Sequence, residues 1–262
     1  MSSPLDAERQ AAALERAAAL LRAARHAVAF TGAGISTPSG IPDFRSQGTG
    51  LWEKDNPMEV ASLGVFQSRP ERFYNWLKPL LLSSLNAQPN PAHLALAQLE
   101  SAGILKALIT QNIDDLHQRA GSQNIYEVHG SLRTVTCPRC QETFSSEQFR
   151  EKLVTAASIS EGMPRCPACA LVLKPDITLF GEMLPAETWQ EAEAHCQQAD
   201  LVLVVGSSLE VWPAAALPQL AVENGARLII NNLSPTPLDN SADVLLPANV
   251  ADILPALVRL VQ

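Results

Sequence analysis

Aromatic side chains are scarce in this chain, at 5% of 262 residues, and no apolar run reaches the 18 or so residues that cross a bilayer. The opening MSSPLDAERQ lacks the basic start and apolar stretch of a secretory signal. Basic residues are also short. The 19 Lys and Arg face 27 Asp and Glu, and the formal net charge of -8 opposes the counterion-releasing phosphate contacts of a nucleic-acid binder. These absences argue against a membrane partner and a nucleic-acid partner, and a cytoplasmic location is expected. In a reducing compartment, five cysteines favour metal binding over disulfides.

What is present reads as an ordinary globular composition, 47% hydrophobic and 18% charged, in a chain long enough for one large domain with a small insert. An Ala-rich, Pro-free stretch from about Leu5 to Ala24 predicts an opening helix. Short apolar runs follow at Ala27 to Thr31, Leu105 to Thr110, Leu201 to Gly206, Arg227 to Asn231 and Asp243 to Leu246, the pattern of strands buried on both faces of a parallel sheet. Helical stretches fall between them: Pro91 to Ala102, with Asn90 as N-cap and Gly103 past its end, then Pro185 to Gln198, Pro213 to Asn224 and Val250 to Val261. This alternation predicts an α/β fold with a doubly wound, mostly parallel, Rossmann-like sheet formed by residues 1–45, 87–131 and 175–262. Two segments break the rhythm. Residues 46–86 carry Trp52, Phe66, Phe73 and Trp76 and read as a helical insertion; residues 132–174 hold four of the five cysteines.

Cys137 and Cys140 form one C-x-x-C, and Cys166 and Cys169 form another, 25 residues further on. Four thiolates so spaced match one tetrahedral structural zinc, closed to substrate because no coordination position is left open. The segment is too short to build its own core, so the metal would stabilise it. Cys196, alone on an expected helix, reads as a buried filler.

After the first strand comes Thr31-Gly32-Ala33-Gly34-Ile35-Ser36-Thr37, a turn able to bring backbone N–H groups to a phosphate or serving only as a tight structural turn. Thr37 stands where a dinucleotide fingerprint has its third glycine, and no helical pattern follows at once. Gly40-Ile41-Pro42-Asp43-Phe44-Arg45 then supplies a guanidinium for a pyrophosphate and a ring to cover a ligand. His129, at the end of Ile125 to Val128, is by itself either a base or a structural hydrogen-bonding residue, and Asn112 and Asp114 by themselves also suit a helix N-cap.

The runs GAGIS (Gly32 to Ser36), GIPDFR (Gly40 to Arg45), TQNID (Thr110 to Asp114), the pair His129-Gly130, the four cysteines and GSS (Gly206 to Ser208) stand in the order seen in sirtuins. The chain resembles that family over nearly its whole length. The resemblance implies an NAD-dependent protein-lysine deacylase in which NAD and an acyl-lysine peptide meet in the cleft between the large domain and the zinc-bearing lobe. The family's products are free lysine, nicotinamide and O-acyl-ADP-ribose. It implies His129 as general base, Asn112 on the nicotinamide ribose, and Asp114 with the Ile113 backbone on the carboxamide, with Gln111 among the NAD contacts. Ala33, Thr37 and Arg45 would contact the phosphates and nearby ribose, Phe44 would shield the reacting carbon, Ser207 and Ser208 would add contacts, and Asn232 and Val250 would serve the adenosine end. Phe180-Gly181-Glu182 and Leu209-Glu210-Val211 resemble the two edges that hold the substrate peptide as an added strand.

Two positions depart from the common family pattern. Asp115 stands where many members have Gly, and Trp212 where Tyr is common. The stretch Tyr74-Asn75-Trp76-Leu77 matches the Tyr and Arg pair of succinyl- and malonyl-preferring members but has Leu77 in place of the Arg, which predicts acetyl or longer apolar acyl groups. Mono-ADP-ribosyl transfer and an idle NAD- or zinc-binding module are the competing readings.

Overall fold

The computed structural model describes residues 4–44, 48 and 50–262, with residues 4–6 as backbone alone. In chain order it holds helix α1 (Pro4–Ala23), strand β1 (Ala27–Thr31), helices α2 (Pro57–Val60), α3 (Leu63–Ser68), α4 (Pro70–Asn86) and α5 (Pro91–Ser101), strand β2 (Leu105–Thr110), helix α6 (Leu116–Ala120) and strands β3 (Ile125–Glu127), β4 (Gly130–Thr136) and β5 (Thr143–Ser145). Helices α7 (Glu147–Thr155) and α8 (Ile159–Gly162) follow, then strand β6 (Lys174–Ile177), helix α9 (Ala186–Gln198), strand β7 (Leu201–Val205), helix α10 (Ala216–Glu223), strands β8 (Arg227–Asn231) and β9 (Val244–Leu245), and helix α11 (Val250–Val261).

Six strands form one sheet in the order β3-β2-β1-β7-β8-β9, every pair parallel. All five residues of β1 and of β7 are buried, because helices cover both faces. Ala27, Ala29, Leu201, Leu203 and Val205 face a core made with α1, α5 and α11, while Val28, Phe30, Val202 and Val204 face α9 and α10. Cys196 is 1% exposed in the second core, and burial pushes its thiol up to about 12, so it packs and does not react. Helix α5 starts as its sequence predicts, with an Asn90–His93 capping box and Pro91 in the first turn. Helix α10 starts at Ala216 and not at Pro213, which places Pro218 in its first turn.

A three-stranded antiparallel sheet, β5-β4-β6, carries the cysteine segment. It begins at Gly130 and ends at Ile177, straddling the sequence divisions at 131/132 and 174/175. The helical insertion does not stand alone: Val65, Phe66, Phe73, Tyr74 and Leu77 share one core with Leu153, Met163, Ile177 and Leu179 of the neighbouring segment.

Candidate functional site

Register decides where the site lies. Thr31 pairs with Thr110 and Val205, Thr110 with Glu127, and Val205 with Asn231, so five strands end in one row. The residues just past that row are Gly32-Ala33, Gln111-Asn112, Val128-His129, Gly206-Ser207 and Asn232. The chain runs from β1 outward through β2 and β3, then returns to β7 on the other flank, so the β1–β7 boundary is a topological switch point, where open α/β sheets bind ligands. At that boundary two turns interlock. The Gly34 amide donates to the Gly206 carbonyl at 2.8 Å, and a Cβ on Gly206 would stand 2.2 Å from the Ile35 nitrogen. Glycine at 206, with φ +60°, is therefore required by close approach as well as by backbone conformation.

After Gly32 the chain makes two single helical turns, Ala33–Ile35 and Thr37–Ser39, and no full helix. Their first amides have no intrahelical partner and can meet an anion. Ser36, between the turns, is 1% exposed and joins the groups that the sequence singled out: it donates to Asp114 Oδ2 at 2.6 Å and accepts from Asn112 Nδ2 at 3.2 Å. Asn112 is further held by the Gly32 carbonyl and, through its amide, by Thr110 Oγ1. Asp114 Oδ1 accepts from the Leu116 amide at 3.0 Å, so this carboxylate does cap α6 with one oxygen while the other faces Ser36. Burial raises the Asp114 carboxyl above its usual range, against the Ser36 and Leu116 hydrogen bonds that lower it. Behind them His93 Nε2 lies 3.5 Å from Ser36 Oγ, and His117 Nε2 lies 2.9 Å from Thr31 Oγ1. Thr31 already donates to Thr110, so His117 must be the donor there. Ser36, His93 and His117 went unassigned in the sequence because only the fold brings residues from four separate segments together.

His129 Nδ1 stands 3.1 Å from the Gln111 carbonyl. A carbonyl only accepts, so Nδ1 carries the hydrogen and Nε2 keeps its lone pair, the tautomer a base needs. Burial lowers the imidazole below its ordinary value, and the Gln111 bond opposes this. The turn after it is rigid. Gly130 has φ +76°, and a Cβ there would stand 2.1 Å from the Asp176 carbonyl.

Gln111 Nε2 donates to Ser207 Oγ at 2.9 Å, linking the ends of β2 and β7. Ser208 is half-buried beside it. Asn231 Oδ1 is a buried acceptor without a partner among the described residues, adjoining half-buried Asn232, whose side chain donates to the Ser234 carbonyl. Thr37 Oγ1 donates to the Gly34 carbonyl. Val250 is the first residue of α11, with its side chain inside the core. Arg45 lies outside the described residues. The amides that open the two turns, the Gln111–Ser207 bridge and the Asn231 acceptor together suit the phosphate, ribose and base groups of a dinucleotide.

Phe44 stacks on Trp52 at 5.0 Å, and Trp52 also contacts Trp76 and Phe180, so scarce aromatics are gathered into one wall. The two expected peptide edges are partly spent within the chain. Phe180 uses its amide and carbonyl on Ala61 and Leu63, and the Glu182 amide bonds the Leu179 carbonyl. The Glu182 carboxylate pairs with Lys174 at 2.9 Å and accepts from the Leu179 amide. Of the three residues, only Gly181 contributes no main-chain group to these bonds. Opposite, Leu209 is buried at φ +55°, Glu210 is exposed, and the Val211 carbonyl accepts from Ala215. Tyr74 is 1% exposed and donates to the Leu173 carbonyl at 2.6 Å, and Leu77 is 2% exposed. Both side chains therefore belong to the small core, which corrects the view of Tyr74 as half of an acyl-carboxylate receptor.

The sulfurs of Cys137, Cys140, Cys166 and Cys169 all lie within 4.8 Å of one another, with Cys140 and Cys166 at 3.7 Å. Zinc–thiolate bonds of about 2.3 Å set the edges of a tetrahedron near 3.8 Å, so the four fit one zinc ion. The Cys140 amide draws the Cys137 thiol down, while the Cys140 thiol pushes Cys169 up. A cation is what lets all four ionise together.

A family model described as the Sir2 family matches residues 32–213. The chain is 45% identical over 251 residues to NAD-dependent protein deacylase 2 of Archaeoglobus fulgidus, covering 95% of this chain and 96% of that protein. It is 46% identical to an NAD-dependent protein deacetylase of Caldivirga maquilingensis, covering 91% and 90%. A solved structure concerned with the mechanism and regulation of Sir2 enzymes superposes with a TM-score of 0.88 at 45% identity, covering 95% and 98%. A Sir2 protein bound to a propionylated peptide superposes at 0.81 and 41%, covering 92% and 95%. With the glycine turn, the buried Ser36–Asn112–Asp114 cluster and the His129 tautomer in place, these matches establish that the chain belongs to the Sir2 family.

Proposed function

We propose that this protein removes acyl groups from lysine side chains of protein or peptide substrates, consuming NAD and releasing nicotinamide and O-acyl-ADP-ribose. The observation that carries the reading is the imidazole of His129, whose Nδ1 is committed to the Gln111 carbonyl, leaving the lone pair on Nε2. In this reading NAD lies across the ends of β1, β2, β7 and β8, with its phosphates over the Ala33 and Thr37 amides. Asn112 holds the nicotinamide ribose and Asp114 the carboxamide. The acyl oxygen attacks the anomeric carbon as the bond to nicotinamide breaks; His129 Nε2 takes the proton of a ribose hydroxyl, that hydroxyl adds to the acyl carbon, the lysine nitrogen leaves as the protonated amine, and one water opens the remaining adduct to O-acyl-ADP-ribose. Hydrogen bonds from Ser36 and Gly32 hold Asn112 in place before ligands arrive, the preorganisation that makes such groups effective.

The zinc ion would close the cysteine segment and shape the small lobe, leaving the chemistry to the sheet edge. Residues 46–86 and 132–174 act in this reading as the two parts of that lobe, and their shared core supports it. Phe44, with Trp52 behind it, covers the reacting carbon. Leu77 offers no guanidinium to an acyl carboxylate, which favours acetyl and longer apolar acyl groups over succinyl.

Incubation with NAD and matched acetyl- and succinyl-lysine peptides, followed by mass spectrometry, tests the reading. Free lysine with equimolar nicotinamide and O-acetyl-ADP-ribose is expected, with acetyl faster than succinyl. Label passing from NAD to protein without lysine release would replace this reading by ADP-ribosyl transfer.

A further inference from the structure

Arg133 projects from β4 and meets two carboxylates at once. Its Nη1 is 2.5 Å from Asp115 Oδ1 and 3.0 Å from Glu127 Oε1, and its Nη2 pairs with Glu127 Oε2. Asp115 directly follows Asp114, and Glu127 stands two residues before His129. We infer that Arg133 is a positioning residue whose guanidinium bridges the Asp115 loop and the strand leading into His129, and so sets the spacing between the two halves of the reaction centre.

The geometry suits that task. Glu127 ends β3 and its side chain is only 13% exposed, so its carboxylate is a fixed anchor on the sheet. Asp115 has φ +66°, a left-handed conformation that Asp tolerates better than most residues, and its carboxylate is the other anchor. The guanidinium is a planar fork that can bind two acceptors in set directions, unlike a single ammonium. Without it, two acids would face each other from the two segments that carry Asp114 and His129, and like charges so placed repel. The departure from glycine at position 115 thus acquires a role: it supplies the second anchor.

The kinetic consequences rest on the deacylase reading; the structural ones do not. Arg133→Met, Arg133→Lys and Asp115→Gly are compared with the parent, each as the full chain with zinc. Arg133→Met is expected to lower kcat about tenfold while KM for the acyl-peptide stays within about twofold, because alignment and not peptide binding is lost. Arg133→Lys, which keeps the charge, should recover at least half of that loss. Arg133→Met combined with Asp115→Gly should be no worse than Arg133→Met alone, since the pair acts as one unit. Hydrogen exchange followed by mass spectrometry should show the amides of 112–116 and 128–131 exchanging about tenfold faster in Arg133→Met. Parent-like kcat, equal losses in the Met and Lys variants, additive losses in the double variant, or unchanged exchange each overturns the inference. If Arg133→Met does not fold, Asp115→Gly carries the test through a kcat loss of about threefold, and unchanged turnover overturns it. A parent that performs no NAD-dependent deacylation sinks the proposed function, while the exchange measurement still decides the bridge.

Discussion

His129 is in the tautomer of a base before any ligand arrives, because its Nδ1 meets the Gln111 carbonyl, which can only accept. His129→Ala should therefore lower NAD-dependent deacylation by about 10²- to 10⁴-fold while leaving the thermal midpoint near that of the parent. The pH profile follows from burial. A base works when neutral, so activity is present above its pKa and lost as pH falls through it. With the imidazole held below its ordinary 6.5, the acid limb of kcat/KM should lie below pH 6.5. A limb above 6.5 would mean that another group titrates. At this scale the sequence exposed the residue types and hid the contacts. GAGIS could be read as a motif, but the Ser36 hydroxyl acquires its position only when β1 and β2 lie side by side.

Elements show the same division. Asn90 caps α5 through the Ala92 amide, and this was legible because a cap is a local event between residues two apart. Its Nδ2 also reaches the Ile35 carbonyl at 2.8 Å and Ser39 Oγ at 2.9 Å, tying α5 to the glycine turn, and that was not legible. Asn90→Ala should cost about 1–3 kcal/mol in chemical denaturation and also weaken NAD binding measured by calorimetry. Loss of stability with NAD affinity intact would confine Asn90 to its capping role. Cysteines of the cluster pack in one core with Val135 of β4 and Phe144 of β5 in the antiparallel sheet. Cys140→Ser, or a strong chelator, should remove about one zinc per chain and raise hydrogen exchange across 132–174, while the six-stranded parallel sheet stays protected. Metal analysis with exchange by segment checks this; uniform unfolding would show that the two sheets are one cooperative unit.

The whole molecule holds most of its histidines neutral. Burial lowers His93 to about 4 and His117 well below 6.5, and His195, hydrogen-bonded to His26 and Tyr126, is also lowered, chiefly by burial. For such groups the unfolded chain binds more protons, so stability is lost as pH falls below 6.5 toward the folded value. Asp114, raised by burial, acts with the opposite sign. For His93 alone the loss by pH 4 is on the order of 3 kcal/mol. His93→Gln should flatten the fall of the urea midpoint between pH 6.5 and 4; a slope identical to the parent's would remove His93 from this account. The sequence by itself determined the parallel sheet, the Asn90 cap of α5 and the thiolate quartet, because periodicity, caps and C-x-x-C spacing are local properties of the chain. The tertiary structure decided the row Glu127–Thr110–Thr31–Val205–Asn231, the commitment of Tyr74 to the core and the bridge through Arg133. Strand register and side-chain partners depend on segments far apart in sequence, and only packing brings them together.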